Sequence, residues 1–145
     1  MSATVACIAD GKVHRQWQAG RIGGESLGRK STPFGPSGEV FLVDGDGGSF
    51  YLLPRHQGGK KRPAPRAINS RANMYALKDL GVKRVLAWGP GGAITHNIAV
   101  GDLVILNDLI DMTFRRERTF FENSPLGFLR QFPVFCPSMS NAISE

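Results

Sequence analysis

A chain of 145 residues is the length of one ordinary domain or of part of one. Its hydrophobic fraction of 41% is too high for a solvated, disordered chain, and no apolar run approaches the roughly 18 residues that span a bilayer. Eighteen Lys and Arg against twelve Asp and Glu leave a net charge of +6. The two cysteines, Cys7 and Cys136, lie far apart without CxxC spacing, and His14 has no partner at metal spacing. These features suit a reduced, cytoplasmic protein and argue against a disulfide scaffold or a metal module. The opening residues place a short apolar run ahead of any basic residue, the reverse order to a secretory signal.

Val5-Ala6-Cys7-Ile8-Ala9 is a short apolar run stopped by Asp10-Gly11, which predicts a buried first strand meeting a turn. Residues 18–38 are rich in Gly, Ser and Pro and predict a long loop. Glu39-Val40-Phe41-Leu42-Val43 and Phe50-Tyr51-Leu52-Leu53 flank a Gly/Asp-rich stretch and predict a hairpin whose loop exceeds two residues. A basic Gly/Pro loop follows at 54–65. Ile68, Ala72, Tyr75, Ala76 and Leu80 then recur at helical spacing, with Gly81 placed to end the helix. Arg84-Val85-Leu86-Ala87-Trp88 reads as a strand ended by Gly89-Pro90-Gly91-Gly92, and Leu103-Val104-Ile105-Leu106 as a further strand after a turn at Val100-Gly101-Asp102. Beyond Asp111 the chain is irregular until a helix begins near Ser138. Strand, hairpin, helix, strand, strand predicts an α/β fold, a mixed β-sheet flanked by helices. The strands from Val5, Val40, Phe50, Val85 and Val104 are expected in that one sheet, with the helix of 68–80 on a face.

The charge is concentrated. Arg55, Lys60, Lys61, Arg62, Arg66 and Arg71 fall within seventeen residues that hold no acid. Such a segment suits an anionic ligand or a solvated loop equally well, and nucleic-acid binding through 55–71 is the electrostatic alternative.

Six stretches occur in an order that belongs to a known family. They are Thr32-Pro33-Phe34-Gly35-Pro36-Ser37, Leu53-Pro54-Arg55-His56, the run from Ile68-Asn69-Ser70-Arg71-Ala72-Asn73 to Leu77, Gly81-Val82, Gly101-Asp102-Leu103-Val104-Ile105, and Asp108-Leu109-Ile110-Asp111. In these residues the chain resembles the N-terminal half of the methylthioadenosine phosphorylase and purine nucleoside phosphorylase family, trimeric branch, with 1–145 as the N-terminal part of one such domain. The resemblance implies a pentosyltransferase that replaces the purine of a nucleoside by inorganic phosphate, the co-substrate, with 5′-methylthioadenosine as the leading substrate. No metal and no other cofactor is implied.

Arg55 and His56 match the family's phosphate-holding pair, and charge-assisted donors are what a phosphate dianion requires. The resemblance extends the phosphate site to Gly11, Gly89, Gly91 and Gly92, and places Phe128 in the substrate pocket of a neighbouring subunit. This chain departs from the pattern at two loops. Gly11 and Gly89 stand where hydroxyl side chains are expected, and Pro90 has no N–H to donate. Asp10 beside a phosphate would repel it, with Lys12 near enough to compensate. Ser70 and His96 read as ordinary surface positions.

The family's base- and ribose-recognising residues come from the half that would follow residue 145. The expectation is therefore a subunit or fragment that needs a C-terminal half, completed by a second polypeptide or by a homo-oligomer, a trimer by resemblance. The alternative is a catalytically degenerate relative that binds a nucleoside or anion without turnover.

Overall fold

The computed structural model describes residues 3–56, 64–117, 119–122, 124–125 and 130–145. Lys60, Lys61 and Arg62 of the basic cluster, and Phe128, lie outside them. The chain divides into two compact units, Met1–Pro90 and Gly91–Glu145.

The first unit runs β1 (Val5–Ala9), α1 (Gly11–Gln18), β2 (Glu25–Arg29), β3 (Glu39–Gly45), β4 (Gly48–Pro54), a 3₁₀ turn at Pro65–Ala67, α2 (Ser70–Asp79) and β5 (Arg84–Ala87). Its five strands form one mixed sheet in the order β2-β3-β4-β1-β5. β1 lies parallel to both β4 and β5, with Cys7 opposite Leu52 on one side and Leu86 on the other. Parallel strands are covered on both faces, which is why β1 reads as an unbroken apolar run.

Side chains alternate across the sheet as the two-residue strand period requires. Ala6, Val40, Tyr51 and Leu53 face the side that buries Leu77 of α2. Ala9, Phe41, Val43 and Leu52 face the other, where Val13 and Trp17 of α1 pack. Full burial of a Leu or Phe side chain is worth about 1.5–3 kcal/mol, so both helices are held by the sheet rather than by their own length.

α2 forms where its periodicity predicts, and both its ends are capped. The Asn69 side chain accepts from the Ala72 amide. At the other end Gly81 takes φ +86, with the Val82 amide donating to the Leu77 carbonyl and the Gly81 amide to Lys78, which closes the last turn.

Four expectations change. The residues after β1 form a helix instead of a bare turn, because Asp10 caps it and Val13 and Trp17, four residues apart, dock on Phe41 and its neighbours. The stretch 18–38 contains the edge strand β2, a single apolar residue, Leu27, among polar ones, with an irregular register and Gly28 at φ +69. The hairpin loop is only Asp46-Gly47, since Gly45 pairs with Gly48 and the Ser49 hydroxyl donates to Asp44 at 2.6 Å. Leu103–106 is not a strand: these residues belong to the second unit and are exposed, Leu103 at 78%. An apolar, β-branched run becomes a strand only where a neighbour takes its N–H and C=O groups, and no described strand lies beside this one.

Gly24, at φ +145, enters β2 against β3. A Cβ there would stand 2.6 Å from the Leu42 carbonyl oxygen, a backbone atom that cannot step aside. Gly24→Ala should cost about 2–4 kcal/mol, from the strained φ and the displaced edge strand. Urea denaturation measures this, and an unchanged midpoint would refute it.

Among its described residues the second unit holds one regular element, α3 (Pro137–Ser144), entered by a proline at its first turn. The turn expected at 100–102 is present. Gly101 has φ +103, and the Asp102 carboxylate accepts from the Ala99 amide at 2.8 Å.

Candidate functional site

The C-terminal ends of the three parallel strands meet at one edge of the first unit. β1 is the middle strand, and both neighbours stay bonded to it one residue beyond their regular length. The Arg55 amide donates to the Ala9 carbonyl and the Trp88 amide to the Ile8 carbonyl, each at 2.8 Å. Asp10-Gly11, Arg55 and Trp88-Gly89 are therefore brought side by side from three separated parts of the chain. α1 leaves this edge over one sheet face, while the connection carrying α2 packs on the other. Open α/β sheets bind their ligands at such strand ends, where successive connections diverge to opposite faces.

Arg55 is exposed and His56 half-buried, in the turn that follows β4. The Arg55 side chain extends across the edge: a Cβ added to Gly89 would lie 3.6 Å from one of its guanidinium nitrogens. Arg55 thus reaches the Gly89 end of the glycine turn. A guanidinium held there offers a planar fork of donors, and the bare backbone at Gly89 leaves room for an anion beside it.

Gly11 is buried at the first position of α1. Its neighbour Asp10 turns its carboxylate onto the Lys12 amide at 2.8 Å. Gly91 and Gly92 belong to the second unit, and a side chain at either would meet nothing within 4 Å among the described residues. His96 is exposed in that unit and Ser70 is exposed at the start of α2. Phe128 lies outside the described residues. Among them, no group of three or more His, Cys, Asp or Glu is placed to hold a metal ion.

Cys7 plays no part at this edge. It points from β1 into the core under α1, and burial pushes its thiol above the usual range, which leaves little thiolate at neutral pH.

Two stretches that carry the sequence resemblance prove to be joined to each other. The Asn69 amide donates to the Phe34 carbonyl at 2.6 Å, and Asn73 accepts from the Gly38 amide at 2.7 Å. Buried Ser37 accepts from the Lys30 amide and donates to Gly38, while Arg71 lies over the Phe34 ring at 5.1 Å. These polar residues fasten the loop of 30–38 to α2, a contact that no local pattern announces.

The family model of the phosphorylase superfamily matches residues 22–145. A probable S-methyl-5'-thioinosine phosphorylase of Methanothermobacter thermautotrophicus is 30% identical over 140 residues, 97% of this chain and 49% of its own length. The S-methyl-5'-thioadenosine phosphorylase of Saccharolobus solfataricus is 37% identical over 115 residues, covering 79% of this chain and 42% of that one. Among solved structures, a methylthioadenosine phosphorylase from an antarctic soil metagenomic library superposes with a TM-score of 0.83 at 27% identity, over 97% of this chain and 48% of that chain. The chain spans about half the length of the relatives it matches. The mixed sheet, its flanking helices and this coverage agree: the chain belongs to the phosphorylase superfamily.

Proposed function

We propose that this chain supplies the phosphate-holding part of a purine nucleoside phosphorylase, with a 5′-methylthio purine nucleoside as substrate. In the reaction the bond from C1′ to the purine nitrogen breaks and a phosphate oxygen bonds to C1′, giving free purine and a pentose 1-phosphate. The observation that carries the reading is Arg55, held at the β4 end against the Gly89 turn of β5. The names of the similar proteins, thioadenosine and thioinosine phosphorylases among them, support the nucleoside class.

Arg55 binds and orients the nucleophile in this reading, and His56 adds a donor from the adjacent turn. As positive charge develops at the sugar, a phosphate fixed beneath it stabilises that charge. The groups that recognise base and ribose are supplied by polypeptide beyond this chain or by other subunits, in a threefold assembly. The test is adenine release from 5′-methylthioadenosine by the complete polypeptide or complex carrying this chain, with and without inorganic phosphate. Release that requires phosphate and yields a pentose 1-phosphate is expected; release independent of phosphate overturns the reading. Binding without turnover would instead favour a degenerate binding relative, for which Pro90, lacking an N–H at the second loop, is the supporting observation.

A further inference from the structure

Asp10 holds the middle position of the edge at which Arg55 and Gly89 meet. It follows β1, the strand flanked by β4 and β5, so its place in the chain lies between the strand ends that carry Arg55 and Gly89. That carboxylate already accepts from the Lys12 amide at 2.8 Å, which occupies one of the donors at the start of α1. Gly11, immediately after it, contributes no side chain to separate the two. A negative group at the same strand-end edge opposes a dianion more strongly than a neutral or singly charged ligand.

We propose that Asp10 is a specificity-determining residue of the strand-end site, a resident anion that sets its affinity for inorganic phosphate low. The inference rests on the phosphorolysis reading for its ligand. It adds that phosphate binds in competition with this carboxylate, so the protein turns over only where phosphate is abundant.

Asp10→Asn removes the charge and keeps an oxygen able to cap α1, since Asn and Asp cap helices equally well. Inorganic phosphate is titrated into the complete protein by calorimetry, and thermal unfolding is followed in parallel. D10N should bind phosphate about tenfold more tightly, with the unfolding midpoint unchanged. Asp10→Glu, which retains the charge, should stay near the original affinity. Unchanged or weaker phosphate binding in a folded D10N protein overturns the proposal. If D10N does not fold, Asp10→Ser, another capping residue, takes its place with the same expected gain. Arg55→Ala separates the two claims. Loss of phosphate binding in R55A with no gain in D10N sinks the role of Asp10 alone. A gain in D10N with no loss in R55A upholds Asp10 and removes Arg55 from the phosphorolysis reading.

Discussion

On the proposed phosphorolysis, Arg55→Ala is expected to lower kcat/KM for phosphate by roughly two to three orders of magnitude in the complete protein. Its guanidinium is carried to the Gly89 turn from the neighbouring strand end, where it presents two N–H donors in one plane. Two charge-assisted hydrogen bonds at about 1.5–3 kcal/mol each give that range, discounted because Arg55 is exposed. The KM for nucleoside should move less than about threefold, because the role proposed for Arg55 is on the anion. Arg55→Lys keeps the charge but loses the fork, and should recover only part of the loss. Phosphate titrations at fixed nucleoside read all three, and an R55A protein with an unaltered phosphate dependence would remove the residue from the mechanism.

Phe41→Ala should have the largest effect on stability, about 3–5 kcal/mol. Phe41 is fully buried in β3, with its ring 4.3 Å from that of Trp17 and 5.9 Å from that of His14. Truncation leaves a cavity beneath α1, a helix of eight residues whose apolar residues on the sheet are Val13 and Trp17. Helices so short do not persist without their tertiary contacts. A loss of this size is a large fraction of the 5–15 kcal/mol that holds an ordinary domain together. Far-UV circular dichroism and Trp17 fluorescence should therefore lose signal together in F41A. Retention of both, with an unfolding midpoint near that of the parent, would refute the placement of Phe41 at the centre of this core.

Where burial repeats at a fixed interval, the residues declare their own structure. The apolar run of 5–9, the 3.6-residue spacing from Ala72 to Leu80 and the Gly81 stop are local signals, and β1 and α2 stand where they put them. The order of short motifs, with Leu53-Pro54-Arg55-His56 among them, is enough to point to the family, because each motif lies in consecutive residues. α1 carries only two apolar positions in about two turns, and β2 only one, so neither produces a periodic signal strong enough to read. Both exist because the sheet already offers a face or an edge to receive them.

The opposite error at Leu103–106 has the same cause. β-propensity expresses how a side chain fits a pleated, half-buried surface, and without a neighbouring strand it produces none. The candidate site divides along this line. Arg55, Gly11 and Gly89 are candidates through the family resemblance, whose motifs are carried by adjacent residues. That the Arg55 guanidinium reaches Gly89, and that Asp10 stands on the strand between them, depended on the order β4-β1-β5. Strand order joins residues more than thirty positions apart through backbone hydrogen bonds, whose donors and acceptors are the same in every amino acid but proline. No local pattern of side chains specifies them, so only the folded sheet decided which three strand ends meet.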